Sequence, residues 1–91
     1  MSEGRSRVLV VDDSAAVRAA IERMISADPE LEVCGKATDG YDALRQAAAL
    51  RPDLVTLDVE MPGMDGLNAL RALKRLDARL PVVMLSSLTE R

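Results

Sequence analysis

Three aspartates follow apolar segments in a pattern that could support phosphoryl transfer. Asp12 and Asp13 come directly after the apolar run 8–11, and Asp58 comes directly after the run 54–57. If the two runs are neighbouring parallel strands, all three carboxylates meet at one edge of a sheet. Carboxylates in such a cluster repel one another, so the arrangement requires a cation or a shared proton. A hard divalent metal beside a carboxylate nucleophile is suited to phosphoryl transfer.

The segments that must position these aspartates alternate between strand and helix patterns. Apolar runs at 8–11, 31–34, 54–57 and 82–85 predict four strands, and the first is continuous enough to be buried on both faces. The resulting βαβαβαβ pattern predicts an α/β fold with a parallel sheet and right-handed crossovers. Ligands bind such sheets beyond the carboxyl ends of the strands, which is where the aspartates lie.

Helical spacing and capping residues predict the three intervening helices. Ser14 and Asp39 can cap the first two, and Asp65 reads as a turn or cap residue rather than a ligand. Gly35 is expected to end the second strand. The expected apolar stripe of the first helix is Val17, Ile21, Met24 and Ile25, and the expected core residues of the third are Leu67, Leu70, Leu73 and Leu76.

Composition excludes several functions for these 91 residues, which suffice for one small domain. A net charge of −3 without a basic run argues against nucleic-acid binding. No apolar segment approaches the ~18 residues needed to span a bilayer, and no signal peptide is visible, so cytoplasm is the expected compartment. The absence of histidine excludes histidine ligands and triads. Cys34, the single cysteine, is interpreted as a core thiol rather than a reactive one.

Three segments carry a resemblance to a known family. They are VVDDS at 10–14, LDVEMPGMDG at 57–66 and PVVMLSSLT at 81–89. From about Arg7 to Arg91 the chain resembles the receiver domain of two-component response regulators. Its closest likeness is to the receivers of chemotaxis protein-glutamate methylesterases. Each segment is weak alone, but together in this order and spacing they are specific.

The resemblance implies a role for each candidate site residue. Asp58 is expected to accept a phosphoryl group from a phosphohistidine on a sensor kinase. Asp13 and Asp58 are expected to bind Mg²⁺ directly, with the backbone carbonyl of Glu60 as a third ligand and Asp12 acting through a bound water. Ser86 is expected to hydrogen-bond the phosphoryl group. The role of the Glu60 side chain is left open: it is either solvated or it tunes the reaction rate.

The resemblance also implies partners. A chemotaxis-type histidine kinase is the expected phosphodonor, and a methylesterase domain is expected in the parent chain. The segment itself cannot be the esterase, because without histidine it cannot supply a Ser-His-Asp triad.

A complete receiver has a flavodoxin-like, doubly wound sheet of five strands in the order 2-1-3-4-5. This sequence stops soon after its fourth strand, so residues 7–91 are expected to form an incomplete receiver with the strand order 2-1-3-4. Residues 1–6 are expected to form a flexible N-terminus. The lysine and the aromatic switch residue that the family carries at its fifth strand have no counterpart, since Lys36 and Lys74 match other positions. Residues 82–85 would form an exposed sheet edge, so the monomer is expected to be only marginally stable. The chain is therefore expected to dimerise or to exchange structural elements with a second copy.

Three other functions are conceivable for a chain with this pattern. A self-contained aspartyl-phosphate phosphatase is disfavoured, because the Asp-x-Asp pair and a cap domain are missing. A truncated fragment that folds or oligomerises without phosphorylation activity remains an alternative, given the missing lysine. A dinucleotide-binding domain is disfavoured because no G-x-G-x-x-G follows the first strand.

Overall fold

The fold is described by a computed structural model over residues 4–61 and 65–85. Strands and helices alternate as the sequence predicts. The elements are β1 (Ser6–Val11), α1 (Ala15–Ser26), β2 (Leu31–Ala37), α2 (Gly40–Leu50), β3 (Leu54–Asp58), α3 (Gly66–Leu76) and β4 (Val82–Leu85). None of the helices within the described ranges is long and apolar enough to cross a bilayer.

The four strands form one parallel sheet in the order β2-β1-β3-β4, which confirms the predicted topology. β1 and β3 are direct neighbours, and Val11 lies opposite Leu57 in their register. The next residues along the two strands, Asp12 and Asp58, therefore emerge side by side at the carboxyl edge. This pairing is the reason that residues 46 positions apart in sequence meet in one site.

The central strand β1 is buried on both faces, as its continuous apolar run predicts. Leu9 and Val11 join a core with residues of β3, α2 and α3, whereas Val8 and Val10 pack with Ile25 on the other side of the sheet. On that second side α1 packs against β1 and β2. The strands that carry the aspartates are thus held rigidly between two hydrophobic clusters.

All three predicted caps are present. Ser14, Asp39 and Asp65 begin α1, α2 and α3, and each side chain accepts a hydrogen bond from the amide three residues further on, at 3.2, 2.8 and 2.9 Å respectively. These contacts satisfy amides that the first helical turn leaves without an intrahelical partner.

The predicted core stripe of α3 is only partly correct. Leu73 is fully buried and Leu70 packs against the core, but Leu67 and Leu76 are 53% and 48% exposed. The stripe that faces the interior instead runs through Gly66, Ala69 and Leu73. Small residues occupy most of it, and α3 lies close to both β3 and α2, whereas Leu67 and Leu76 beside the stripe face outward.

The stripe predicted for α1 is also too wide. Ile21 and Ile25 pack on the sheet, whereas Val17 and Met24 are 40% and 72% exposed. Met24 lies about 100° away from Ile25 around the helix, which turns it off the buried face. Val17 shares the four-residue spacing of Ile21 and Ile25 but lies in the first turn of α1, where it remains partly open to solvent.

β2 is longer than predicted, and Gly35 lies inside it rather than ending it. The register between β1 and β2 shifts after Val8, which pairs with Val33 while Leu9 pairs with Gly35. Cys34 is therefore the extra residue of a β-bulge. Pairing with β1 then continues through Ala37. A Cβ at Gly35 would lie only 2.5 Å from the Gln46 side chain, so glycine fits there without a shift of that neighbour.

Candidate metal site at the carboxyl edge of the sheet

The carboxylates of Asp12, Asp13 and Asp58 converge. One oxygen from each lies within 4.8 Å of the others. Asp12 and Asp58 are each only 6% exposed, whereas Asp13 is open to solvent. The arrangement places two buried carboxylates at the floor of the site and one at its mouth.

Backbone contacts fix Asp12. Its amide donates to the carbonyl of Ala37 at 3.0 Å, which extends the pairing of β1 with β2 by one residue. Its Oδ1 accepts the amide of Ser14 at 2.9 Å, and its own carbonyl accepts Nη1 of Arg18 at 2.7 Å. The loop between β1 and α1 is therefore tied down at three atoms of one residue.

Asp58 is held in a similar way at the end of β3. Its Oδ1 accepts the backbone amide of Glu60 at 3.0 Å. The amide of Val59 donates to the carbonyl of Leu85 at 2.9 Å, and the carbonyl of Val59 accepts the amide of Gly66 at 2.9 Å. The backbone beyond Asp58 is thus clamped between β4 and the first residue of α3.

Burial raises the pKa of Asp58 above its ordinary value of 3.8, and the hydrogen bond from the Glu60 amide opposes that effect. The negative charges of Asp12 and Asp13 raise the pKa further, as does a side-chain hydrogen bond with Asp13. The repulsion expected for clustered carboxylates is therefore present in the folded chain.

The donor set fits a hard divalent cation. Mg²⁺ takes octahedral oxygen ligands at about 2.0–2.1 Å and keeps several waters, so two ligand oxygens on one ion lie about 3 Å apart in adjacent positions and about 4 Å apart in opposite positions. The carboxylate oxygens, which all lie within 4.8 Å of one another, would move closer together to share one ion. An ion there would also relieve the repulsion that raises the pKa of Asp58.

The structure describes only one of the two remaining site residues that the sequence predicts. Glu60 is exposed at the rim, where its amide, rather than its side chain, contacts Asp58. Ser86 lies outside the described residues. Arg18 was not among the sequence candidates, although its position four residues after the helix cap Ser14 puts it one turn into α1, within reach of the loop that carries Asp12.

The fold and the three carboxylates define a receiver-type site, and comparison with known proteins agrees. The family model described as the response regulator receiver domain matches residues 8–91. The chain belongs to this family.

Individual relatives show which kind of response regulator the chain resembles. Over 85 residues the chain is 52% identical to a protein-glutamate methylesterase/protein-glutamine glutaminase of Nocardioides sp., and the match covers 93% of this chain. Over 84 residues it is 55% identical to the protein of the same name from Pyrococcus abyssi, with 92% of this chain covered. In both cases the match spans only 23% of the relative, so the chain corresponds to the receiver part of such proteins.

Solved structures show the same fold. The response regulator domain of Thermotoga maritima CheB superposes with a TM-score of 0.86 at 44% identity, covering 96% of this chain and 64% of that one. A chain of the CheX-CheY-BeF3-Mg+2 complex from Borrelia burgdorferi gives a TM-score of 0.86 at 27% identity, covering 99% of this chain and 73% of that one.

Proposed function

We propose that this chain is a phosphoacceptor module in which Asp58 receives a phosphoryl group from a histidine kinase. The observation that carries the proposal is the position of Asp58. It is a nearly buried carboxylate at the end of a central strand, with the oxygens of Asp12 and Asp13 within 4.8 Å. A structural aspartate has no need of two further carboxylates beside it, whereas a phosphoacceptor needs a bound cation.

Asp13 and Asp58 are the proposed direct ligands of Mg²⁺, with the Glu60 carbonyl as a third ligand and Asp12 acting through a bound water. Bound there, the ion would neutralise charge on the carboxylates and on an incoming phosphoryl group. The Mg²⁺ named in the Borrelia complex supports this assignment, because a chain of that complex has the same fold.

In the proposed reaction a carboxylate oxygen of Asp58 forms a bond to phosphorus while the bond from phosphorus to the donor nitrogen breaks. The donor nitrogen leaves with the electron pair of that bond, and because the other ring nitrogen of the phosphohistidine carries a proton, the products are an aspartyl phosphate and a neutral histidine side chain. The Glu60 amide holds the Asp58 carboxylate in one orientation for this attack. Ser86 is the proposed donor of a hydrogen bond to the phosphoryl group.

The proposed physiological setting is chemotaxis. The relatives named as protein-glutamate methylesterases support a parent protein in which phosphorylation of this module regulates an attached methylesterase domain. The proposed phosphodonor is a chemotaxis-type histidine kinase acting in the cytoplasm. In the parent, a new anion at Asp58 would shift a two-state surface at this edge of the sheet.

Phosphorylation can be measured directly by intact-mass spectrometry after incubation with acetyl phosphate and Mg²⁺. We expect one phosphoryl mass gain that disappears with a chelator and in Asp58→Asn. Asp65→Asn is the matched control, because it makes the same substitution at a helix cap and should leave the gain intact. A folded, Mg²⁺-binding wild type that gains no mass would contradict the proposal.

One observation favours the alternative of a structural fragment without phosphorylation activity. Both lysines of the chain are engaged elsewhere: Nζ of Lys36 pairs with Glu22 at 3.1 Å, and Nζ of Lys74 donates to the carbonyl of Leu80 at 2.5 Å. Neither supplies the cation that the family places beside the phosphoryl group. The same mass experiment separates the two functions, since a structural fragment would fold and remain unmodified.

We further propose self-association through β4. Among the described strands only β3 pairs with β4, and Val83 is 45% exposed. An apolar, uncharged strand at a sheet edge readily pairs with another chain. Sedimentation should therefore show a dimer that Val83→Lys dissociates, whereas a monodisperse wild-type monomer would contradict this part of the proposal.

A further inference from the structure

Within residues 4–61 and 65–85, Arg18 makes the one hydrogen bond that links a cationic side chain to the loop carrying the proposed metal ligands. Its Nη1 donates to the carbonyl of Asp12 at 2.7 Å, and its amide donates to the carbonyl of Ser14 at 2.9 Å. The same residue therefore closes the first turn of α1 and reaches back to the end of β1. Arg18 is half-buried, so solvent competes only partly for this hydrogen bond.

Without this contact the Asp12 carbonyl would have no partner in the described structure, because the strand pairing ends with the Asp12 amide. The loop would then be held to the sheet by that amide and to α1 by the Ser14 amide. The three carboxylates each offer an oxygen within 4.8 Å of the others, and like charges at that distance repel, which favours their separation when no cation is bound. An anchor on the loop therefore keeps the carboxylates close enough to bind one ion.

We propose that Arg18 is a positioning residue for the metal site: by binding the Asp12 carbonyl it holds Asp12 and Asp13 in place for Mg²⁺. This inference rests on the proposed function, since it assumes that the carboxylates bind that ion. The change in Mg²⁺ affinity expected on removing Arg18 is opposite in sign to the change that charge repulsion alone would give. A guanidinium near the site repels Mg²⁺, so removing its charge alone would tighten binding, whereas removing its anchor weakens binding.

The test is a calorimetric titration of the chain with Mg²⁺ at moderate salt. We expect Arg18→Met to bind Mg²⁺ about tenfold more weakly than wild type, a change of about 1.4 kcal/mol. Arg18→Lys should recover part of the loss, because an ammonium can still donate to the carbonyl. Arg23→Met is the control. It removes the same charge from the far end of α1 and should leave the affinity unchanged or slightly tighter.

Hydrogen exchange provides a second measurement that is independent of the metal. In the metal-free, folded Arg18→Met variant, the Ser14 amide bonded to Asp12 should exchange faster than in wild type, while amides in the middle of β1 keep their protection. Unchanged or tighter Mg²⁺ binding in Arg18→Met would overturn the role of Arg18 and leave the proposed function intact. Wild-type protein that binds no Mg²⁺ would instead overturn the proposed function, and the inference with it.

Discussion

Gly66 donates its amide to the carbonyl of Val59 at 2.9 Å, and a Cβ on Gly66 would lie 2.6 Å from that same oxygen. The first residue of α3 is thus packed directly on the backbone that follows Asp58. Backbone atoms cannot swing aside as side-chain ends can. We expect Gly66→Ala to destabilise the chain by about 1–3 kcal/mol and to weaken Mg²⁺ binding, because Asp58 must shift with its neighbour. Chemical denaturation and metal titration measure the two effects.

Gly35→Ala is the matched control for that substitution. A Cβ at Gly35 would also be crowded, but by the ends of the Gln46 and Leu50 side chains, and Gly35 lies in β2 away from the carboxylates. It should lower stability without changing the affinity for Mg²⁺. Equal affinity in Gly66→Ala and wild type would show that the clamp on Val59 does not position Asp58.

Removal of the Asp58 charge should stabilise the metal-free protein. Burial, together with the charges of Asp12 and Asp13, raises the pKa of Asp58, so the ionised carboxylate disfavours the folded state. Asp58→Asn keeps an oxygen that can accept the Glu60 amide and loses the charge. We expect its melting temperature at pH 7 in a chelator to exceed that of wild type.

The pH dependence of this difference has a definite sign. Folded Asp58 holds its proton more tightly than the unfolded chain does. Its stabilising contribution is therefore complete below the ordinary pKa of 3.8 and is lost as the pH rises through the higher folded pKa. The excess in melting temperature of Asp58→Asn over wild type should therefore increase as the pH rises through this range and stay constant at higher pH. Saturating Mg²⁺ should reduce or reverse the advantage, because only the carboxylate binds the ion well. An advantage that is the same at pH 3 and pH 7 would contradict this account.

The alternation of parallel strands and helices could be predicted from the sequence because apolar runs and helical spacing are local patterns. The strand order, on which the convergence of Asp12, Asp13 and Asp58 depends, was expected only from the family resemblance. The apolar run of β1 is buried on both faces, and an aspartate follows each central strand directly. The helix caps were predictable for the same reason, since each involves a side chain and an amide three residues away.

The remaining features depend on contacts that sequence spacing does not encode. Which leucines of α3 are buried depends on how closely the helix approaches α2 and β3, and that proximity left Leu67 and Leu76 outside. The extension of β2 depends on a bulge at Cys34 that shifts its register with β1. The Arg18 contact joins a side chain to a backbone carbonyl six residues earlier, and neither residue type signals that pairing.

Asp65 should contribute to the stability of the fold and not to the binding of Mg²⁺. Its Oδ1 accepts the Asn68 amide at 2.9 Å as the cap of α3. We expect Asp65→Ala to cost about 1 kcal/mol, or a melting temperature lower by about 4–8 °C, with unchanged Mg²⁺ affinity. Asp65→Asn should retain most of the stability, because asparagine caps about as well as aspartate. Loss of Mg²⁺ affinity in Asp65→Asn would instead mark Asp65 as part of the metal site.

The thiol of Cys34 should react slowly in the folded chain. The residue is half-buried in the bulge of β2, and burial raises the pKa of its thiol, while the nearby charge of Arg7 opposes that shift. Because the thiolate is the reactive form, alkylation by iodoacetamide at pH 8 should be several-fold slower in the native protein than in denaturant. Arg7→Met should slow the native reaction further if the protein stays folded, since it removes the charge that favours the thiolate. A native rate equal to the denatured rate would show that Cys34 is an accessible, reactive thiol and would contradict its interpretation as a packing residue.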